Sequence, residues 1–241
     1  MYRYEPCYTA TNKPGCYNLD RNPAAPYPHS MTERADKLQK IYKVLKGLYP
    51  KAATFLVHRN PYELMVAVIL SARTTDDQVN RVTPKLFKDY PNPPSLMKAD
   101  VKKVERIIFP TGFYKTKARN IIGAAAGVVE KFGGTVPQSM TELLSLPGVG
   151  RKSANVIRGH CFDKPAVIVD THFSRVVRRL GLSGEEDPGR IEKDIVSLCP
   201  EDIQTDFSMM VNIHGRRICT ARKPDCSRCP VSSLCSFLCN D

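Results

Sequence analysis

The feature that most restricts the fold of this chain is a nearly unbroken succession of helical sequence patterns from Met31 onward. Leu38, Ile41 and Leu45 recur three or four residues apart, the period of one helix face, and Thr32 is the predicted N-cap of that helix. The next segment, PYELMVAVILSA, is almost wholly apolar and begins with proline at a first helical position, which predicts a buried central helix.

Eight further segments show the same helical periodicity, and most of them end at proline or glycine. They are DDQVNRVTPKLFKDY, SLMKADVKKVERIIF, KTKARNIIGAAAGVVEKFGG, SMTELLSLPG, RKSANVIRGHCF, VDTHFSRVVRRLGL, PGRIEKDIVSLCP and IQTDFSMMVNIHGRRIC. The run PAVIV (165–169) favours extended backbone, but it is too short to build a sheet. We therefore predict an all-α fold of about ten helices.

The charge of the chain indicates a polyanionic partner. There are 36 Lys and Arg against 24 Asp and Glu in 241 residues, a formal net charge of +12. Nucleic acid is the first candidate, and the alternative is a protein that is basic without such a partner. The sequence has no apolar run of the ~20 residues that cross a bilayer and no apolar core of a signal peptide. We expect a soluble intracellular protein without membrane association.

The first 30 residues read differently from the rest. They carry five prolines, mixed charge and no aliphatic periodicity, which predicts a disordered extension. Cys7 and Cys16 in this stretch are interpreted as loose thiols. The stretch is too poor in arginine to be typical of an organelle transit peptide.

The stretch LPGVGRKSANV joins two predicted helices through a turn with two glycines, Gly148 and Gly150. Glycines allow a sharp turn and a close approach to another molecule, and the free N–H groups that begin the next helix attract anions. The alternative is a helical hairpin without a ligand. Lys152 lies in the first helical turn, where the dipole disfavours the ammonium form and favours the nucleophilic amine. By itself it could equally be a solvated surface lysine.

Asp170 follows Lys152 by 18 residues, at the junction of the extended run and the next helix. Its carboxylate can accept the first N–H groups of that helix, which keeps it ionised. A fixed carboxylate near an activated amine can stabilise positive charge that develops on a sugar ring. The alternative is an N-cap without a catalytic role.

Four cysteines lie within seventeen residues: Cys219, Cys226, Cys229 and Cys235. In an intracellular chain this density indicates a metal site rather than disulfides, and four thiolates suit either Zn²⁺ or an iron–sulfur cluster. From the residues alone zinc is favoured, because structural zinc sites are common. Cys239 lies outside the pattern, and Cys161 and Cys199 are interpreted as ordinary helix thiols.

Five motifs in order carry a resemblance to a known family. ILSARTTDDQVN, GFYKTKARNI, LPGVGRKSANV, VDTHFSRV and the four-cysteine tail resemble the endonuclease III family of helix–hairpin–helix DNA glycosylases, from about residue 33 to 238. The resemblance implies two helical domains with a DNA-binding cleft between them. Residues 54–164 would form a six-helix barrel with the helix–hairpin–helix motif. Residues 31–53 plus 165–241 would form the cluster domain, and residues 1–30 an extension.

The activity implied by the resemblance is that of a DNA glycosylase and abasic-site lyase that removes oxidised pyrimidines from duplex DNA. Lys152 matches the family's Schiff-base lysine and Asp170 its catalytic aspartate. The damaged nucleotide leaves the stack, the lysine amine attacks C1′ and expels the base, and β-elimination then breaks the 3′ phosphodiester. The partner would be double-stranded DNA with damaged bases or abasic sites. The protein would be a monomer, at the bacterial nucleoid in the cytoplasm or in a eukaryotic nucleus or mitochondrion.

The same resemblance implies the binding residues. The turn Leu146, Pro147, Gly148, Val149 and Gly150 would hold the DNA backbone. Arg222 and Lys223, in the loop TARKPD, would contact phosphates. The cysteine spacing equals that of the family's cluster. The resemblance therefore implies a structural [4Fe–4S] cluster rather than zinc.

One position departs from the family's pattern: Arg73 stands where a glutamine usually fills the gap left by the extruded nucleotide. Arginine could donate to an orphaned guanine, so the opposite-base preference is open. Phe113 stands where leucine is frequent, and it could stack between bases or pack at a helix end. Two alternative functions are a mismatch-specific thymine, uracil or adenine glycosylase and a non-catalytic DNA-binding iron–sulfur protein. Lys152 tells against the first, and Lys152 with Asp170 against the second.

Overall fold

The computed structural model of the chain describes residues 30–237, and this part contains eleven α-helices, three short 3₁₀ segments and no β-strand. The helices are α1 (Met31–Leu48), α2 (Pro61–Leu70), α3 (Asp76–Asp89), α4 (Pro93–Met97), α5 (Val101–Ile108), α6 (Tyr114–Phe132), α7 (Met140–Leu144), α8 (Arg151–Cys161), α9 (Thr171–Arg179), α10 (Pro188–Leu198) and α11 (Gln204–Arg217). The predicted all-α fold is confirmed. The predicted extension up to residue 29, with Cys7 and Cys16, lies outside the described residues, as does Cys239.

Two hydrophobic cores organise these helices. The first surrounds α2, of which every residue from Tyr62 to Leu70 is buried, and includes apolar residues of α3, α5, α6 and α8. The second is built from α1, α9, α10 and α11, with Phe173 and Phe207 edge to face at its centre. The prediction of a buried central helix is confirmed by α2. None of the helices between residues 30 and 237 is both long and apolar enough to cross a membrane.

Two helix boundaries differ from the sequence prediction. The N-cap of α1 is Ser30 rather than Thr32. The Ser30 hydroxyl accepts from the Glu33 amide, and the Glu33 carboxylate accepts from the Ser30 amide, which forms a capping box. The single helix predicted over SLMKADVKKVERIIF is two helices, α4 and α5, because the Asp100 side chain caps a new helix.

Candidate active site and cysteine loop

The turn between α7 and α8 is pressed against the first core. Gly148 has a φ of +79°, and a Cβ there would lie 2.9 Å from Asn120 Cβ and 3.0 Å from Ile69 Cγ2. Only glycine therefore fits this position without strain. The side chains of Leu146 and Val149 are buried in the core, whereas Pro147, Gly148 and Gly150 are exposed. A ligand at this turn can therefore contact only the backbone of Leu146 and Val149, not their side chains.

Lys152 is the second residue of α8, and its side chain is exposed. The N-cap of this helix is Gly150, which provides no side-chain hydrogen bond to the first turn. The amides of that turn are thus open to an anion from outside, at the positive end of the helix dipole.

The chain after α8 turns back along the same helix, and hydrogen bonds attach it to α8 at two points. The Lys164 amide donates to the Arg158 carbonyl, and Asn155 Nδ2 donates to the Val167 carbonyl at 2.8 Å. Asn155 lies three residues after Lys152, and Val167 lies three residues before Asp170. The extended segment that leads to Asp170 is therefore attached to the first half of α8.

Helix α11 supports the other side of the extended segment 165–170. Three of its side chains, spaced as one helix face, bond to alternate residues of the segment. These pairs are Thr205 with the Ala166 carbonyl, Ser208 with the Ile168 amide, and Asn212 with the Asp170 carboxylate. This hydrogen-bonded ladder, together with Asn155, accounts for the straight course of a segment that belongs to no sheet.

Asp170 is the N-cap of α9, as predicted, and it is half-buried. Its Oδ1 accepts from the Phe173 amide at 2.8 Å, and its Oδ2 accepts a short hydrogen bond from Asn212 Nδ2. Both carboxylate oxygens therefore have a donor, which fixes the plane of the group.

A buried carboxylate from α10 fixes the start of α8. Glu192 is 8% exposed and accepts from Arg151 Nε at 2.6 Å and Arg151 Nη2 at 2.9 Å. It also accepts from Asn155 Nδ2 at 3.1 Å. Arg151, just before Lys152, and Asn155, about one turn after it, thus both donate to the same carboxylate.

Arg73 and Phe113 lie in two loops at the ends of α2 and α6. Arg73 lies in the loop after α2, and Phe113 precedes α6; both are exposed and both have left-handed backbone, with φ of 55° and 49°. Non-glycine residues adopt this conformation at a free-energy cost and often do so at functional sites. Lys117 supports the second loop, because its buried Nζ donates to the Thr111 carbonyl at 2.8 Å.

A groove of about 670 Å³ runs from Asp170 along the outer side of α9 towards the cysteine tail. Its wall includes Thr171, Ser174, Arg178 and Phe237. Arg178 is paired with Glu186 at 2.8 Å across this groove. Asp170 is itself one of the residues that line this groove.

The four predicted cysteine ligands are free thiols, and three of them, Cys219, Cys229 and Cys235, pack against the second core. Burial and the nearby thiols of the set raise the pKa of Cys226 and Cys229. Within residues 30–237 no three His, Cys, Asp or Glu side chains are arranged to hold a single metal ion. The donor set itself, four cysteine sulfurs, is the set that iron–sulfur clusters use.

Two side-chain nitrogens lie close to these sulfurs. Arg179 Nη1 lies 3.3 Å from Cys219 Sγ, and His214 Nε2 lies 3.5 Å from Cys229 Sγ. Burial lowers the pKa of His214 to about 4, so the ring is neutral at physiological pH. N–H groups near thiolate sulfur compensate the negative charge of a bound cluster. The environment thus fits an iron–sulfur group.

The loop that starts at Cys219 exposes Arg222 and Lys223 to solvent. Its ends are held by the backbone, since the Asp225 amide donates to the Ile218 carbonyl at 3.0 Å. Arg179 also donates to the carbonyls of Thr220 and Ala221, at 2.8 and 3.0 Å. The two basic side chains are therefore carried by a loop of fixed shape.

Comparison with known families identifies two regions of the chain. The model of the HhH-GPD superfamily base excision DNA repair protein matches residues 66–201. The model of the iron–sulfur binding domain of endonuclease III matches residues 219–235, which begin and end at the first and last of the four cysteines.

Similar proteins and structures agree with these matches. Endonuclease III of Synechocystis sp. is 47% identical over 206 residues, covering 85% of this chain and 94% of that protein. Endonuclease III of Bacillus subtilis is 41% identical over 189 residues, covering 78% and 86%. A trapped endonuclease III–DNA covalent intermediate superimposes with a TM-score of 0.80 at 37% identity, covering 84% of this chain and 96% of that one. A thermostable thymine-DNA glycosylase gives 0.76 at 27% identity, covering 84% and 96%.

The chain belongs to the HhH-GPD superfamily of base excision DNA repair proteins. Within that superfamily its similarity is to endonuclease III, so it is a DNA-binding glycosylase and lyase with a [4Fe–4S] cofactor.

Several residues of the site were not found from the sequence. Asn155, Glu192 and Asn212 lie in ordinary helical patterns, and each acts through a partner distant in sequence. The one available signal is that each polar side chain falls on an otherwise apolar helix face.

Proposed function

We propose that this enzyme removes oxidised pyrimidines from duplex DNA and then cleaves the strand at the abasic site. The observation that carries the proposal is the fixed carboxylate of Asp170, which accepts from the Phe173 amide and from Asn212 Nδ2. It ends a segment that is bonded to α8, the helix on which the exposed Lys152 lies. An exposed amine and a fixed carboxylate are the groups that base expulsion through a Schiff base needs.

In this mechanism Lys152 is the nucleophile. Its amine attacks C1′ of the extruded nucleotide, the C1′–N bond breaks, and the base leaves with the bonding electron pair and gains a proton. The C1′–O4′ bond then breaks and O4′ takes up a proton, which opens the sugar ring. The iminium that this leaves between C1′ and the lysine nitrogen acidifies the C2′ proton. Loss of that proton and departure of the 3′ phosphate complete β-elimination, and hydrolysis of the imine releases the lysine. The exposed position of Lys152 at the start of α8 gives its amine access to a sugar.

Asp170 acts by charge in this proposal. Its two oxygens accept from Phe173 and Asn212, so the orientation of the carboxylate is fixed where Asp170 lines the groove. A fixed negative charge stabilises the positive charge that develops on the sugar as the base departs.

DNA is held by backbone amides and basic side chains. The open amides at the start of α8, with Gly148 and Gly150 exposed, are suited to a phosphate. Arg222 and Lys223 would bind phosphates from the cysteine loop. Arg73 and Phe113 would fill the space left by the extruded nucleotide. Their helices both contact Gly148 through Ile69 of α2 and Asn120 of α6, so they border the surface of the turn.

The four cysteines would hold the [4Fe–4S] cluster, whose role is to fix the loop that carries Arg222 and Lys223. Protein prepared anaerobically should be yellow-brown and contain about four iron atoms and four sulfide ions per chain, as the cluster type requires. Stoichiometric zinc without sulfide would contradict this assignment.

The substrate class is tested with duplexes that carry thymine glycol, dihydrouracil, an abasic site, or a G·T or A·G mismatch. We expect base release and strand cleavage on the first two, strand cleavage on the third, and neither on the mismatches. Base release from mismatches without cleavage would support a mismatch glycosylase instead. We further propose that the protein acts as a monomer at the DNA of its cell, the bacterial nucleoid or a eukaryotic nucleus or mitochondrion.

A further inference from the structure

We propose that Asn212 is a positioning residue for Asp170, which orients the carboxylate towards the reacting sugar. The proposal rests on the function proposed above and adds a residue outside the motifs that indicated that function. Asn212 lies on α11, 42 residues along the chain from Asp170.

The amide of Asn212 is buried, and only one of its ends has a partner. The residue is 7% exposed, its Nδ2 donates to Asp170 Oδ2, and its Oδ1 is buried without a hydrogen-bond partner among the described residues. The reverse orientation would place the amide oxygen against the carboxylate oxygen, which is repulsive. The single hydrogen bond of this buried amide group goes to one carboxylate oxygen, and it therefore fixes the direction of that oxygen.

The other two hydrogen bonds from this face of α11, those of Thr205 and Ser208, have a different effect. Thr205 and Ser208 bond to backbone groups of Ala166 and Ile168, and so they fix where the segment runs. Asn212 alone of the three reaches a side chain. On this one face of α11, Thr205 and Ser208 therefore hold the backbone of the segment, whereas Asn212 orients the side chain of Asp170.

The two donors to Asp170 also have separable effects. The Phe173 amide holds Oδ1, which is the helix cap, and this contact does not by itself fix rotation of the carboxylate about Cβ–Cγ. The second donor, Asn212, fixes that rotation. Loss of the Asn212 side chain should leave the helix cap and the fold in place, but Oδ2 of Asp170 would no longer be held in one position.

The test is a double-mutant cycle between Asn212→Leu and Asp170→Asn, with Asn212→Ala as a smaller change if the leucine variant is poorly folded. Base release from a thymine glycol duplex is followed under single-turnover conditions, and the Kd for undamaged duplex is measured in parallel. We expect Asn212→Leu to slow base release about 10-fold with an unchanged Kd, within the range of couplings between directly contacting residues. In the Asp170→Asn background the same change should have less than about a twofold effect, because there is no charge left to orient.

Ser208→Ala is the matched control, since it removes a buried hydrogen bond from the same helix face to the same segment but not to the carboxylate. It should change thermal stability while base release stays within about twofold of wild type. Asn212→Asp is a further variant: it replaces the donor by an acceptor beside Asp170, and base release at neutral pH should be slower than in Asn212→Leu.

Equal slowing by Asn212→Leu in both backgrounds would show a structural role and overturn the proposal. The same holds if Ser208→Ala slows base release as much as Asn212→Leu does. If Asp170→Asn alone releases the base at the wild-type rate, the proposed function of Asp170 fails instead, and the two failures are thus distinguished.

Discussion

The guanidinium carbon of Arg73 lies 5.6 Å from the centre of the Phe113 ring, although the two residues belong to loops that precede different helices. A cation over an aromatic face is attracted by the ring quadrupole, and both residues have left-handed backbone. The two side chains therefore form one exposed unit, which is suited to entering the duplex where a nucleotide has been extruded.

Arg73 should make the enzyme prefer guanine opposite the lesion. Its guanidinium has donors only, and it matches the paired acceptors O6 and N7 of guanine, whereas adenine offers one acceptor and one donor there. We expect wild-type enzyme to process a lesion opposite guanine about 10-fold faster than opposite adenine, within the discrimination of one bidentate pair. Arg73→Gln should reduce this ratio to below about threefold. The measurement is single-turnover base release on the two duplexes.

Arg106→Gln is the control for Arg73, because Arg106 is an exposed arginine on α5 that bonds to the Lys102 carbonyl of its own helix. It should leave the guanine-to-adenine ratio unchanged. A ratio near one for wild-type enzyme would refute the role given to Arg73.

Lys223 should contribute to affinity without regard to sequence. We expect Lys223→Ala to weaken binding of undamaged duplex about equally for different sequences. The slope of log K against log salt should fall by about one, because one fewer phosphate contact releases one fewer counterion. Lys131→Ala is a suitable control, since Lys131 lies in the last turn of α6, about 25 Å along the helix from Phe113. An unchanged slope for Lys223→Ala would remove the cysteine loop from the DNA interface.

The sequence predicted the helices well because the apolar period is a local property. Lys152, Asp170 and the four cysteines were selected through the resemblance of the motifs around them, and their roles stay predictions. Glu192 and Asn212 could not be selected, since their partners lie 37 or more residues away and only the packing of α8, α10 and α11 joins them. The break between α4 and α5 was missed for a related reason. Asp100 looked like one polar residue of a continuous helix, and only its bonds to the next amides mark it as a cap.

His160 should make stability depend on pH. Burial, and next the charge of His58, lower the pKa of His160, while Asp206 opposes the shift. Its side-chain Nε2 is buried without a hydrogen-bond partner among the described residues. The unfolded chain binds a proton at the ordinary histidine pKa of about 6.5, and the folded chain only at lower pH. Stability is therefore full above about pH 6.5 and declines as the pH falls below it.

His160→Gln should reduce this decline, because glutamine does not titrate. Thermal unfolding of both proteins between about pH 7.5 and pH 5.5 measures it, a range set by the ordinary histidine pKa. Wild-type Tm should fall more steeply than that of the variant. Parallel curves would mean that His160 makes no contribution in this range.

Lys152 is the residue on which the chemistry depends most directly. If its amine attacks C1′, borohydride should reduce the imine and trap a covalent protein–DNA adduct on a thymine glycol duplex. Lys152→Ala should lose this adduct and strand cleavage by a factor of at least ~10³, because the nucleophile is absent rather than weakened. The variant should fold normally, since the side chain is exposed at the start of α8.

Lys164→Ala is the matched control, an exposed lysine just beyond the far end of the same helix, and it should keep the full adduct yield. An adduct formed at the wild-type rate by Lys152→Ala would show that another amine is the nucleophile. Lys152 would then serve only as a phosphate contact beside the glycine turn.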